Sequence, residues 1–100
     1  MAVLELTLVP VGMNGTSVSP YVAKAFETAK SVEGIQVALN PMGTVLEGDI
    51  DLLFEAVRKM QEAVFSSGVH RVYSVIKIDD RRDKKASLDQ KIKSVMDKVE

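Results

Sequence analysis

The stretch from Val37 to Asp51, VALNPMGTVLEGDID, leaves this chain few ways to fold. Val37 and Leu39 alternate with Ala38 and Asn40, the period of two that marks a strand. Asn40-Pro41-Met42-Gly43 then reads as a type I turn. Proline presets the backbone at the second position, asparagine suits the first and glycine the fourth. Thr44 to Glu47 favours strand and stops at Gly48, after which Asp49 or Asp51 can cap a helix by accepting a backbone N–H. An antiparallel hairpin running straight into a helix points to an α+β fold.

The flanking segments extend that pattern. In Ala2 to Pro10, Leu4, Leu6 and Leu8 alternate with Val3, Glu5, Thr7 and Val9, which predicts a first strand. Val11 to Val18 is a loop containing Gly12, Asn14 and Gly15. Ser19-Pro20 predicts a helix start, with serine as N-cap and proline at the first helical position. Val22, Ala25, Phe26 and Ala29 share one face of that helix, and Gly34 ends it. Ile50, Leu53, Phe54, Val57, Met60 and Val64 recur at three and four, predicting a second helix to about Ser66, closed by Gly68. Arg71 to Asp80 alternates again as a fourth strand, and Asp79 to Lys85 is a charged loop. Ser87-Leu88-Asp89-Gln90 reads as a capping box ahead of Leu88, Ile92, Val95, Met96 and Val99, the apolar stripe of a packed third helix.

The order β-α-β-β-α-β-α over 100 residues predicts a single ferredoxin-like βαββαβ domain, with a four-stranded antiparallel sheet, two helices on one face and an added C-terminal helix. The strand-1 leucines should face the helices. The opposite face should carry Glu5, Thr7, Val9, Ala38, Asn40, Val45, Glu47, Tyr73, Val75 and Lys77. Such a mixture of valines, tyrosine and single charges suits association or ligand binding, and the third helix can cover part of it or reach a neighbouring subunit.

Composition removes several functions. A net charge of −1 lacks the basic footprint of a nonspecific nucleic-acid binder. The outer face also lacks the stacked aromatics that RNA-binding domains of this topology carry on their central strands. With no cysteine there is no disulfide, thiolate metal site or cysteine nucleophile. His70 is the sole histidine and reads as a turn residue before strand 4, so no metal cluster or catalytic triad is nominated. The loop after strand 1, VGMNGTSVS, has neither the arginine of an acylphosphatase-like site nor a metallochaperone's paired cysteines. The N-terminus lacks a basic n-region and interrupts its apolar run with Glu5, so a signal peptide or membrane span is not expected and a cytoplasmic location is.

Four segments together resemble the YkoF-like family of thiamine-binding proteins. They are VPVG at the end of strand 1, SVSPYVA at helix 1, LNPMGTVLEGDID at the hairpin and GVHRVYSVIKIDDRRD at strand 4. The hairpin is the most specific of them. The resemblance implies a ferredoxin-like fold and homo-oligomers, often tetramers, assembled through sheet faces. It also implies binding of thiamine or a related hydroxymethylpyrimidine, with no catalysis and no cofactor beyond that ligand. One departure is Gln61-Glu62, where the family is expected to place His-Glu.

Thiamine offers an aminopyrimidine edge and a cationic thiazolium. The Asn40 amide or the hydroxyls of Ser17, Ser19 and Thr44 can read that edge. Glu47 can face the cation, Tyr73 can stack on either ring, and Met42 supplies a soft wall. Gly43 and Gly48 permit close backbone approach. These residues set the expected site near the hairpin, facing the start of helix 1. The competing expectation is a structural or regulatory oligomerisation domain whose polar sheet residues only pair subunits. Catalysis ranks behind both, because no acid, base or nucleophile has recognisable activating neighbours.

Overall fold

The structure is a computed structural model that describes residues 1–83 and 87–99. Lys84, Lys85 and Ala86, at and just beyond the end of the expected charged loop, lie outside the described residues, as does Glu100. The elements are β1 (Ala2–Pro10), α1 (Ser19–Lys30), β2 (Gln36–Asn40), β3 (Gly43–Gly48), α2 (Ile50–Phe65), β4 (Val72–Asp80) and α3 (Leu88–Met96). The strands form one antiparallel sheet in the order β2-β3-β1-β4. This is the ferredoxin-like arrangement with a third helix appended.

Register assigns the faces. Leu4 lies opposite Leu46 on β3 and Ile78 on β4, while Glu5 lies opposite Val45 and Lys77. Leu4, Leu6, Leu8 and Leu46 therefore point towards the helices, and all four are buried. They meet Ala25 and Ala29 of α1 and Leu53, Ala56, Val57, Met60 and Val64 of α2 in one core. The small alanines let α1 sit close to the sheet, whereas α2 contributes the bulk. The outer-face set expected from alternation is the one the ladders place there.

Four local expectations are corrected. Ser19 is not the N-cap of α1: that position is Val18, which has no side-chain cap, and Ser19 is already helical. The backbone at Val18 is itself near-helical (φ −107°, ψ −1°), so the turn begins one residue early and Pro20 occupies a later first-turn position. Its missing N–H costs nothing there, because first-turn donors have no intrahelical partner. Phe54 is nearly half exposed, and Ala56 takes a place in the core stripe instead. At α3, the Ser87 hydroxyl accepts from Gln90 N–H (3.1 Å), but the reciprocal half of the capping box is not made among the described residues. Finally, α3 forms yet buries no residue: Ile92, Val95, Met96 and Val99 are each at least 60% exposed. A stripe with no surface of its own chain to cover it stays in solvent. By contrast, Asp49 caps α2 as expected, its Oδ1 accepting from Asp51 N–H at 3.0 Å.

Candidate functional site

The site begins with unequal strands. β4 pairs with β1 along its whole length, but β3 pairs only as far as Leu6 opposite Thr44. Past Leu6, the β3 side of β1 has no strand beside it. The hairpin tip turns across that gap, and the Thr7 hydroxyl donates to the Met42 carbonyl at 2.8 Å, tying the tip to β1. The turn itself is Pro41-Met42, between paired Asn40 and Gly43, with no left-handed residue. The proline forbids one at its own position. Two-residue hairpins ordinarily use left-handed turns, whose twist matches their strands.

Above the gap passes the first half of α1, presenting Val18, Val22 and Ala25. The result is a cavity of about 200 Å³ bounded by β1, the hairpin, α1 and Met60 of α2. Its walls are mainly apolar, with Leu6, Leu8 and Val9 from β1. None of the described residues lining it is ionisable. Its polar side chains come from Thr7, Asn40 and Thr44.

Thr44 is the informative one. It points to the helix side of the sheet and is 3% exposed, yet its hydroxyl has no hydrogen bond among the described residues. No side-chain oxygen or nitrogen of the described non-exposed residues is both sealed and unpartnered. The hydroxyl thus keeps an opening, and the cavity it lines is that opening. A buried hydroxyl without a partner costs free energy, which a ligand group can offset.

The expected site residues divide into three sets. Asn40, Met42, Gly43 and Thr44 line the cavity together. Ser17 and Ser19 are exposed beside the Val18 wall and do not line it. Glu47 and Tyr73 project from the outer face of the sheet. Tyr73 is 61% exposed and lies opposite Val9, a cavity residue. Glu47 sits on β3 four positions beyond Gly43, about 13 Å along the strand.

The bare glycine positions are filled by the protein itself. A Cβ on Gly43 would stand 3.0 Å from the Leu6 carbonyl oxygen and 3.1 Å from the Thr7 hydroxyl, and one on Gly48 would meet Ile35 at 3.0 Å. Gln61, at the departure from the family pattern, donates to the Ser74 hydroxyl (3.1 Å) and accepts from Arg58 (2.6 Å), away from the cavity.

Sequence reasoning missed the apolar walls. Val22 and Ala25 were readable as one helical face, but only the truncated β3 shows that this face overhangs a gap. Thr7 gave no signal, because its bond to Met42 spans elements that touch only in the fold. Among the described residues no group of histidine and acidic side chains is placed to hold a metal ion. His70 is an exposed residue in the bend before β4. No helix of the described residues is long and apolar enough to cross a membrane.

Comparison with known proteins gives the family and the fold. A family model described as thiamine-binding protein matches residues 4–96. The UPF0045 protein YqgV of Bacillus subtilis is 44% identical over 98 residues, covering 95% of this chain and 94% of that protein. A UPF0045 protein of Methanothermobacter thermautotrophicus is 45% identical over 100 residues, covering 99% and 100%. The crystal structure of protein MJ1052 from Methanocaldococcus jannaschii superposes with a TM-score of 0.87 at 41% identity, covering 95% of each chain.

Proposed function

The chain belongs to the thiamine-binding protein family, and from that premise we propose that it is a noncatalytic receptor for thiamine or a hydroxymethylpyrimidine relative, held in the hairpin cavity. The observation that carries this reading is the Thr44 hydroxyl, on a buried residue that lines that cavity and without a hydrogen bond among the described residues. Size favours one ring over the whole vitamin. An apolar cavity of about 150 Å³ takes up a benzene molecule, so about 200 Å³ accommodates a substituted pyrimidine. The thiazolium would then lie outside, towards the mouth near Ser17, Ser19 and Met42. An uncharged lining suits the neutral ring and not the cation.

In this arrangement Thr44 and the Asn40 amide read the ring's donors and acceptors, Met42 covers it, and Gly43 holds the hairpin against β1. Glu47 and Tyr73 project from the other side of the sheet and have no role in this arrangement. The absence of any ionisable group among the described lining residues supports a binder over a catalyst. The proposal includes a cytoplasmic homo-oligomer, a tetramer through sheet faces. Exposed Tyr73 and Val75 on the outer face, together with the bare stripe of α3, favour association. They also favour the second reading, an oligomerisation domain without a small ligand.

Isothermal calorimetry on Thr44→Val separates the two. The substitution keeps the shape and removes the hydroxyl, and affinity for hydroxymethylpyrimidine should fall about tenfold, the worth of one hydrogen bond. Thiamine and its pyrimidine fragment should lose similar factors. If the unmodified protein binds neither at millimolar concentration, the oligomerisation reading replaces this one.

A further inference from the structure

The end of β1 carries backbone groups that the sheet leaves unpaired. In an antiparallel ladder each residue turns its N–H and C=O together to one neighbouring strand, and successive residues alternate between the two sides. The bond from the Val11 N–H to the Arg71 carbonyl (2.8 Å) fixes the phase. Val11 stands opposite Arg71, one step beyond the Pro10–Val72 pair, so the odd residues of β1 bond to β4 and the even ones turn to β3. On that side Leu4 meets Leu46 and Leu6 meets Thr44. Leu8 is the next even residue, and its N–H and C=O turn into the gap where pairing with β3 has ended.

A ladder continued in the same register would set Leu8 against Met42. The turn prevents it. The Met42 carbonyl, the natural acceptor for the Leu8 N–H, is held by the Thr7 hydroxyl instead. No other hydrogen bond reaches the Leu8 N–H or C=O among the described residues. Leu8 is 7% exposed, and it lines the hairpin cavity as Thr44 does. A buried backbone donor without a partner is rare in folded proteins. Pro10, the next residue turned to that side, has no N–H, so the donor there is Leu8 alone.

Resting on the cavity's role as a ligand site, we propose that the Leu8 peptide edge is its specificity-determining element, selecting a flat ring with an acceptor nitrogen next to an N–H donor. Such a ring accepts the Leu8 N–H on its nitrogen and donates to the Leu8 carbonyl. It thereby completes the ladder that β3 leaves unfinished. Backbone sets this pattern more strictly than the side chains of the cavity can. The Thr44 hydroxyl both donates and accepts, and the Asn40 amide carries an oxygen and an NH₂. The Leu8 N–H only donates and its carbonyl only accepts. A ring of the right outline without the donor leaves that carbonyl unpaired among the apolar walls of Leu6, Val22 and Met60. A polar group of the site left unpaired in this way is what rejects the wrong ligand.

Aminopyrazine, whose amino group adjoins a ring nitrogen, is the probe. Methylpyrazine, of the same outline without the N–H donor, is the control. Amide hydrogen exchange is followed by nuclear magnetic resonance on the full chain. Without a ligand, the Leu8 amide should exchange about tenfold or more faster than those of Leu4 and Leu6 on the same interior strand, because an amide outside the ladder lacks their protection. Saturating aminopyrazine should remove that difference. Methylpyrazine should bind about tenfold more weakly, the worth of one hydrogen bond. A Leu8 amide as slow as Leu6 in the free protein overturns the proposal. So does aminopyrazine binding, seen as saturable shifts at the Thr44 amide, that leaves Leu8 exchange unchanged. Equal affinity for the two rings overturns it as well, and in these last two cases the cavity remains a ligand site. If neither ring saturates at millimolar concentration, the proposal falls together with the cavity reading.

Discussion

Gly43 and Asp49 show how single residues set the hairpin and the helix after it. Gly43 has no room for a side chain, because β1 fills the space a Cβ would take. That contact seats the turn at the end of β3 and gives the cavity a firm edge. Asp49 accepts the Asp51 N–H and starts α2 directly after the strand. Ser19 has no such role, since Val18 precedes it as the cap residue and Ser19 makes no side-chain hydrogen bond among the described residues. The two positions should respond differently. In urea unfolding, Asp49→Ala should cost about 1 kcal/mol, the usual loss of a helix cap. Ser19→Ala should stay within about 0.5 kcal/mol, as for a surface substitution away from any special feature. Equal losses would restore Ser19 as a capping residue.

Among the elements, α3 differs from α1 and α2. The two core helices bury alanines, leucine, valines and methionine, whereas α3 buries nothing and is joined to the sheet by the Lys91–Asp79 pair and its first turns. Its cap and apolar spacing were legible in the sequence, but the surface they pack against was not. Periodicity shows that a helix has an apolar face, not where the face goes. The same limit applied to the site. The tight turn and the Asn40 to Thr44 run could be read residue by residue. The cavity could not, because it arises where the pairing of β3 with β1 ends at Thr44 while β1 runs on to Pro10. Glu47 was readable as an outer-face carboxylate, but its burial was not. Ending the chain at Ala86 should leave the far-ultraviolet spectrum of the sheet and the core helices in place, because no core residue lies in α3. The same truncation should reduce the mass of the assembly in native mass spectrometry. Unchanged mass together with an unchanged melting temperature would leave α3 without an associating role.

The whole molecule measures 44 × 33 × 18 Å, thin across the sheet because only one face carries the core helices. Tyr73 and Val75 are exposed on the other face, in a chain of 10.9 kDa. The proposed homo-oligomer would close that face. Sedimentation at micromolar concentration should give a multiple of the chain mass. Tyr73→Asp should dissociate it by placing a charge where the partner offers apolar surface. A monomer in the unmodified protein rejects the assembly, and an assembly that survives the substitution moves the interface away from Tyr73.

The ladder between β1 and β4 also sets when the protein can finish folding. β1 is an interior strand, yet one of its two neighbours is the last strand of the chain, and Ala2 lies opposite Asp80. As the polypeptide leaves the ribosome, the hairpin and both core helices emerge while β1 still has an open side. Only after residue 80 is free can the sheet close. Pairings between such distant residues make folding slower than in helical bundles of similar size. During that interval the leucine-rich first strand keeps one edge unpaired, the kind of edge another unfinished chain can pair with.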